Sequence, residues 1–482
     1  MFNYQKYFSA DLFYQFSGSI LFIILAFIIS RPTANNDIYN QLIATEGILT
    51  QLNFTGVGQH PWGIASIASL LRLCSIDDPL LFFYYIQPFL VAACFCLLFK
   101  ILSTILPNKY DFFISLSSLS SLVLIKSMHQ VSAEIISLAT VLLLMAYVWQ
   151  IIIQNHNLNV KIVSLMVILS WIAILCRHTA MFIIIGILIF LYVNNIFSKR
   201  KFFLIGTIML LPGVIKALFF YREIIRTYNL FSFRTPLEII AQLIKHFQNF
   251  TEIILPYSLH LNKMPWFKGI ISLTCLFLLL VLMRYSKDSG YGGNKRKLLG
   301  NYFFTIGISY YCILSFASVY YNYDWGALYR VSGFGLIFML NAFWIYIFTY
   351  VNWRKYILVI LIISSITKVS YGLRYEILSN QHRFLFQDYR ESIKAIIDYT
   401  NKEYKDIYVY IDRSGLGRNL YYMLLYYDLI YSLPFDVNKF SNKITKSTSV
   451  IFCTEIDLNQ FNSNQYSINK ITGLKQVYAI QK

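Results

Sequence analysis

Charge is what this chain has least of. Only 13% of its 482 residues are Asp, Glu, Lys or Arg, against roughly one quarter in an ordinary soluble domain. With 57% hydrophobic residues and a mean hydropathy of +0.55, that scarcity excludes a soluble fold. Acids are scarcer than bases, 23 against 41, and the net charge is +18. Such a balance in a soluble protein would suggest nucleic acid, but here no compact basic domain or base-reading motif accompanies it, and the cations sit mostly between apolar runs. The seven cysteines form no CxxC pair, and Cys94, Cys96, Cys176, Cys275 and Cys312 lie in apolar stretches, so neither a disulfide framework nor a zinc site is indicated. No internal repeat is visible, which removes the inverted-repeat signature of many transporters. No Ala-x-Ala site follows Ser30, so the first apolar run reads as a retained span rather than a cleaved signal.

Long apolar runs are what the chain does have. A bilayer core needs about 20 mainly apolar residues per helix, because backbone groups in lipid must be satisfied within the segment. Runs of that kind occupy 13–30, 83–106, 111–126, 134–154, 160–176, 178–197, 202–220, 267–283, 302–320, 329–351 and 356–371, predicting a polytopic α-helical membrane protein of about eleven transmembrane helices. Lys and Arg on short loops stay cytoplasmic. With odd parity, Lys199-Arg200-Lys201, Lys295-Arg296-Lys297 and Arg354-Lys355 all fall on the side of the N-terminus. The opposite side receives the loops 31–82, 126–133 and 221–266 and everything after the last span. Lys100, Lys126, Lys216 and Lys368 lie towards span ends, where a long side chain is expected to snorkel to the interface. In the loop 221–266, apolar residues recur at helical spacing after Thr235-Pro236 (Leu237, Ile240, Leu243, Ile244, Phe247), which predicts an amphipathic helix on the membrane surface.

The organisation predicted is a multi-span body over 1–385 and a small extracytoplasmic α/β domain over 386–482. In that domain helical periodicity covers 389–403 and 416–430, and β runs cover 407–411, 449–453 and 476–480. The stretch Asp412-Arg413-Ser414-Gly415-Leu416-Gly417 follows a strand and opens a helix, where phosphate can be cradled, but a lone Gly-x-Gly is a weak signal and an ordinary strand-to-helix turn is the favoured reading.

Residues able to carry chemistry gather in the outer loops. In the first, Asp37 and Tyr39 follow the first span and His60-Pro61 precedes an apolar segment, Trp62 to Leu73, too short to cross. Asp37 also suits a helix N-cap, and His60 an interfacial site beside a Trp anchor. The second loop ends in Glu134, which the preceding Ser132 could accompany as a cap in a helix first turn. Arg177 divides two spans, and Arg330 opens another after Tyr323-Asp324-Trp325; either could snorkel.

Taken in order, these features resemble the GT-C superfamily of membrane glycosyltransferases. They are an Asp with a Tyr two residues on after the first span, a helix and Gly47, His60-Pro61, a second outer loop ending in Glu134, and an α/β domain after the last span. The chain is similar to the bacterial branch that includes protein mannosyltransferase-like and aminoarabinose-transferase-like enzymes, most closely over about its first 190 residues. The resemblance implies a multi-pass protein of the bacterial inner membrane with a cytoplasmic N-terminus. It would take a sugar from a polyprenyl-phosphate donor to a glycan, lipid or protein acceptor on the outer face. It makes Asp37 the base for the acceptor hydroxyl, Glu134 and Tyr39 a second acid and an acceptor-positioning group, and Arg177, Arg330 and His60 the ligands of the departing phosphate. One carboxylate acting on a hydroxyl implies direct displacement with inversion. Two departures stand out. Some relatives have paired acids where this chain has Asn36-Asp37, which weakens the case for a divalent metal, and no other cofactor is implied. Aminoarabinose-transferase relatives have an acid and a base before a Pro pair where this chain has Gln59-His60-Pro61-Trp62. A polymerase or ligase of lipid-linked glycans is the alternative within enzymes, kept by the long basic loop 221–266. A transporter or flippase of lipid-linked sugars is the alternative outside them, and it expects charge at mid-membrane depth.

Overall fold

The computed structural model describes residues 4–34, 36–52, 61–76, 78–154, 159–219, 235–238, 265–284, 293–320, 329–350, 354–380, 406–409, 449–454, 467–470 and 477–481. The chain forms two compact units, Met1–Ser30 with Tyr85–Tyr375, and Arg31–Tyr84 with Glu376–Lys482. Its helices in chain order are α1 (Tyr4–Ile29), α2 (Asn36–Ile43), α3 (Thr45–Gln51), α4 (Gly63–Leu73), α5 (Pro79–Ser103), α6 (Asn108–Leu119), α7 (Leu122–His129) and α8 (Ala133–Gln154). There follow α9 (Val160–Cys176), α10 (Ala180–Val193), α11 (Lys199–Phe219), α12 (Pro265–Arg284), α13 (Gly293–Tyr320), α14 (Tyr329–Tyr350) and α15 (Arg354–Asn380). Each apolar run read as a span falls on one of these, except 111–126, which is shared by α6 and α7. Among the described residues, five helices are long and apolar enough to cross a membrane by length and composition, within α1, α5, α8, α11 and α13.

In the first unit the run 111–126 is not one helix. It breaks at Ser120-Ser121 into α6 and α7, inside a serine-rich stretch whose Ser115, Ser117, Ser118, Ser120 and Ser121 are all buried. Serine hydroxyls compete for backbone partners, and a broken helix leaves its last carbonyls without i+4 donors. One is met from α15: Lys368 Nζ donates to the Ser117 carbonyl and lies equally close to its hydroxyl, 3.2 Å in each case. The snorkelling expected of two lysines is therefore not what the fold does. Lys368, at 1% exposure in mid-helix, and Lys216, at 3%, are both turned into the protein.

A second interruption is mended differently. Pro212 inside α11 has no N–H to give the carbonyl four residues back. That carbonyl, of Ile208, accepts the Trp171 indole N–H from α9 at 2.7 Å. Elsewhere small residues let helices close up: a Cβ on Gly186 of α10 would stand 2.8 Å from the Ile306 Cα of α13. Trp149 stacks on Tyr302 with centroids 5.5 Å apart and donates to Thr104 Oγ1 at 2.9 Å, so a large aromatic is buried with its polar atom satisfied. In the loop 221–266, Thr235 N–H donates to Glu238 Oε2 at 2.7 Å and Glu238 N–H to Thr235 Oγ1 at 3.4 Å. This is a capping box opening a helix after Thr235-Pro236; the rest of the expected amphipathic helix lies outside the described residues.

In the second unit α2 and α3 pack on α4 through Ala44, Ile48 and Ala65, with Trp62 against them. An Arg72–Glu46 ion pair joins α4 to α3. Four short strands, β1 (Asp406–Val409), β2 (Ser449–Thr454), β3 (Ser467–Lys470) and β4 (Val477–Gln481), form a sheet in the order β1-β2-β4-β3. The first pair is parallel, with Ile407 opposite Val450; β2 and β4 are antiparallel, with Phe452 opposite Ala479, as are β3 and β4, with Ile468 opposite Ile480. A parallel pair requires a long crossover. The helices expected at 389–403 and 416–430 and the Asp412–Gly417 turn lie outside the described residues. The strand β3 carried no clear period-2 signal in the sequence.

Candidate functional site

Antiparallel packing of α8 on α9 sets the first turn of one beside the last residues of the other. Glu134 stands in that first turn, where the helix dipole favours an anion, and Arg177 is the C-cap of α9, where it favours a cation. Arg177 Nη2 lies 3.1 Å from Glu134 Oε1, with the side chains 13% and 3% exposed. Neither Glu134 oxygen receives an aligned hydrogen bond, so the contact is ionic and leaves lone pairs unused. Three residues deeper, Ser137 Oγ donates to the Ala173 carbonyl at 3.2 Å and holds the two helices in register.

Two expected structural roles thereby drop away. Ser132 does not cap α8 with its hydroxyl, which has no hydrogen-bond partner, and Arg177 does not snorkel to headgroups but turns inward to an acid. From α13, Tyr310 shares a hydrogen bond with Thr179, two residues after Arg177, and lies within electrostatic range of both Arg177 and Glu134. Its ring packs on α14 where Gly335 leaves room: a Cβ there would stand 2.7 Å from Tyr310 Cδ1. Arg330 is in the first turn of α14, five residues before Gly335, so its backbone lies about 7.5 Å further along the same helix. One end of the first unit thus gathers Glu134, Arg177, Thr179, Tyr310 and the start of α14.

The segment leading to Glu134 is held by a residue sequence reading missed. Gln87 of α5, 3% exposed, gives its amide to the Met128 carbonyl at 3.0 Å and to Ser30 Oγ at 3.3 Å. It accepts the Ser132 N–H at 3.1 Å. Ser30 Oγ itself donates to the Met128 carbonyl at 2.6 Å. One side chain so ties the end of α1, the end of α7 and the start of α8. A lone Gln in an apolar run, next to Pro88, was the only signal for it.

Asp37 and Tyr39 are the second and fourth residues of α2, in the other unit. Asp37 is therefore a first-turn residue rather than the N-cap it also suited. His60 lies outside the described residues, while Pro61, next to it, is buried. Among the described residues no three His, Cys, Asp or Glu side chains come together as a metal site requires.

No protein-family model matches the sequence, and no curated protein matches it. Among solved structures the chain is similar to ArnT from Cupriavidus metallidurans bound to undecaprenyl phosphate, with a TM-score of 0.43 at 9% identity, covering 96% of this chain and 97% of that one. It is similar also to the apo state of the same protein, with a TM-score of 0.42 at 9% identity over 95% and 97% of the two chains.

Proposed function

We propose that the chain is a membrane glycosyltransferase that moves a sugar from a polyprenyl-phosphate donor to an acceptor hydroxyl on the outer face. The observation that carries the reading is the buried Glu134–Arg177 pair at the helix ends where α14 brings its Arg330-bearing turn. A buried arginine at the end of an apolar bundle, with Arg330 in the first turn of α14, suits an anionic group held at the membrane boundary. Asp37 takes the proton of the acceptor hydroxyl, whose oxygen forms the new bond to the anomeric carbon. The bond from that carbon to the phosphate oxygen breaks, its electron pair leaves with polyprenyl phosphate, and the anomeric centre inverts. Arg177, Arg330 and His60 hold the charge that develops on the phosphate. Glu134 fixes the orientation of Arg177, and Tyr39 positions the acceptor.

About eleven spans with a cytoplasmic N-terminus complete the reading. Arg31–Tyr84 and Glu376–Lys482 belong to one compact unit, which supports placing them on one side of the membrane with an even number of crossings between them. Ten such runs lie between, α6 and α7 counting as one.

Purified protein incubated with a set of polyprenyl-phosphate sugars should release free polyprenyl phosphate from at least one. Release from none, by monodisperse protein supplied with membrane lipid and acceptor extract, would sink the reading. One observation favours a second reading, a transporter or flippase: Lys368 is a buried charge in mid-helix. Movement of intact donor across vesicles without loss of its sugar would select that reading instead.

A further inference from the structure

Away from the site, α10 and α11 form a groove between Ile185 and Leu188 on one wall and the Phe203, Thr207, Leu210 and Val214 face on the other, with a volume of about 320 Å³. Its surface is hydrocarbon. The one hydroxyl, Thr207 Oγ1, is bonded to the Phe203 carbonyl at 2.7 Å, and the Ile208 carbonyl that Pro212 frees is taken by Trp171. Gly206 keeps the floor open, since a Cβ there would stand 3.3 Å from Leu188 Cδ1. From Phe202 to Val214 the trough runs about 18 Å at 1.5 Å per residue, close to the depth of one leaflet of a hydrocarbon core about 30 Å thick.

Among the described residues along the groove, exposed charge stands at one end only. Lys199, Arg200 and Lys201 open α11 and are all exposed, and Lys199, four residues before Phe203, lies on the groove face. At the other end the nearest cation, Lys216, is buried, and Leu218 and Phe219 are exposed. A leaflet-deep apolar trough with three cations at its head matches an amphiphile with an anionic headgroup and a chain of leaflet length. We propose that this groove binds an anionic phospholipid, its acyl chain along α11 and its phosphate against Lys199, Arg200 and Lys201.

Native mass spectrometry on delipidated full-length protein tests this with two probes of identical acyl chains, phosphatidylglycerol and phosphatidylcholine. One phosphatidylglycerol should be retained at least about tenfold more tightly than phosphatidylcholine. The triple Lys199→Gln, Arg200→Gln, Lys201→Gln variant should erase that preference. Thr207→Phe, or Leu210→Phe if the first is not monodisperse, should weaken retention of both lipids by filling the trough. The same neutralisation at Arg354 and Lys355, another basic helix start, should change nothing. Equal retention of the two lipids by the parent protein, an unaltered preference in the triple variant, unaltered retention in a folded filling variant, or an equal loss on neutralising Arg354 and Lys355 would each overturn the assignment.

Discussion

Glu134 and Asp37 are both acids just beyond an apolar run, yet the fold treats them differently. Glu134 is buried against Arg177, and both helix ends favour the pair. Asp37 stands in the first turn of an eight-residue helix in the other unit. A carboxylate buried against a guanidinium is tied to it structurally, because removing either partner leaves the other charge uncompensated where water is scarce. The difference teaches that residue type and place in the chain nominate acids, while packing shows that Glu134 is one committed to a cation.

The comparison breaks most visibly at Asp37. Asp37→Asn should lower transfer by about 10² to 10⁴, the usual cost of losing a general base, while the first-turn charge it removes is worth only about 0.3–1 kcal/mol of stability. Membrane yield and initial rates on one donor measure the two separately, and an unchanged rate would leave Asp37 a helix-start residue. Arg177→Ala comes next and should lower donor turnover, because it removes a cation from the departing phosphate, and also cost about 3–5 kcal/mol of stability, because it strands Glu134 in a buried place. Adding Glu134→Gln should recover most of the lost Tm; equal melting of the single and double variants would mean the pair is not coupled.

Arg330→Lys sharpens the contrast from the other arginine. It keeps the charge but not the planar fork, and donor use should fall about tenfold or more with little change in Tm. Full donor turnover by this variant would assign Arg330 to the headgroup region. Gln87→Met should have the smallest effect, about 1–2 kcal/mol, since lost polar contacts inside membrane proteins cost little each. It should loosen the start of α8, so faster hydrogen exchange around Ser132 and Ala133 should accompany the Tm shift, with α2 unaffected.

Much of this was legible in the chain. Length and apolarity located the helices, Thr235-Pro236 announced a helix start that its capping box bears out, and short apolar runs marked three of the four strands in the C-terminal sheet. Arg177 and Glu134 were nominated as residue types at span ends. Their partnership was not legible, because it depends on how α8 and α9 pack, and neither was Tyr310, one tyrosine of 38. Lys368 was misread for the same reason. A lysine near the end of an apolar run looks free to reach the interface until a carbonyl released by a break in another helix offers it a nearer partner.

That lysine has a consequence for how the chain is made. Ser117 and Lys368 are 251 positions apart, and at roughly 5–20 residues per second the ribosome needs about 12–50 s to go from one to the other. Throughout that interval the broken α6–α7 segment has emerged without the side chain that completes it. Its free carbonyls and hydroxyls must meanwhile find water, insertion machinery or temporary partners rather than lipid. The α6–α7 segment therefore gains this partner only when α15 arrives.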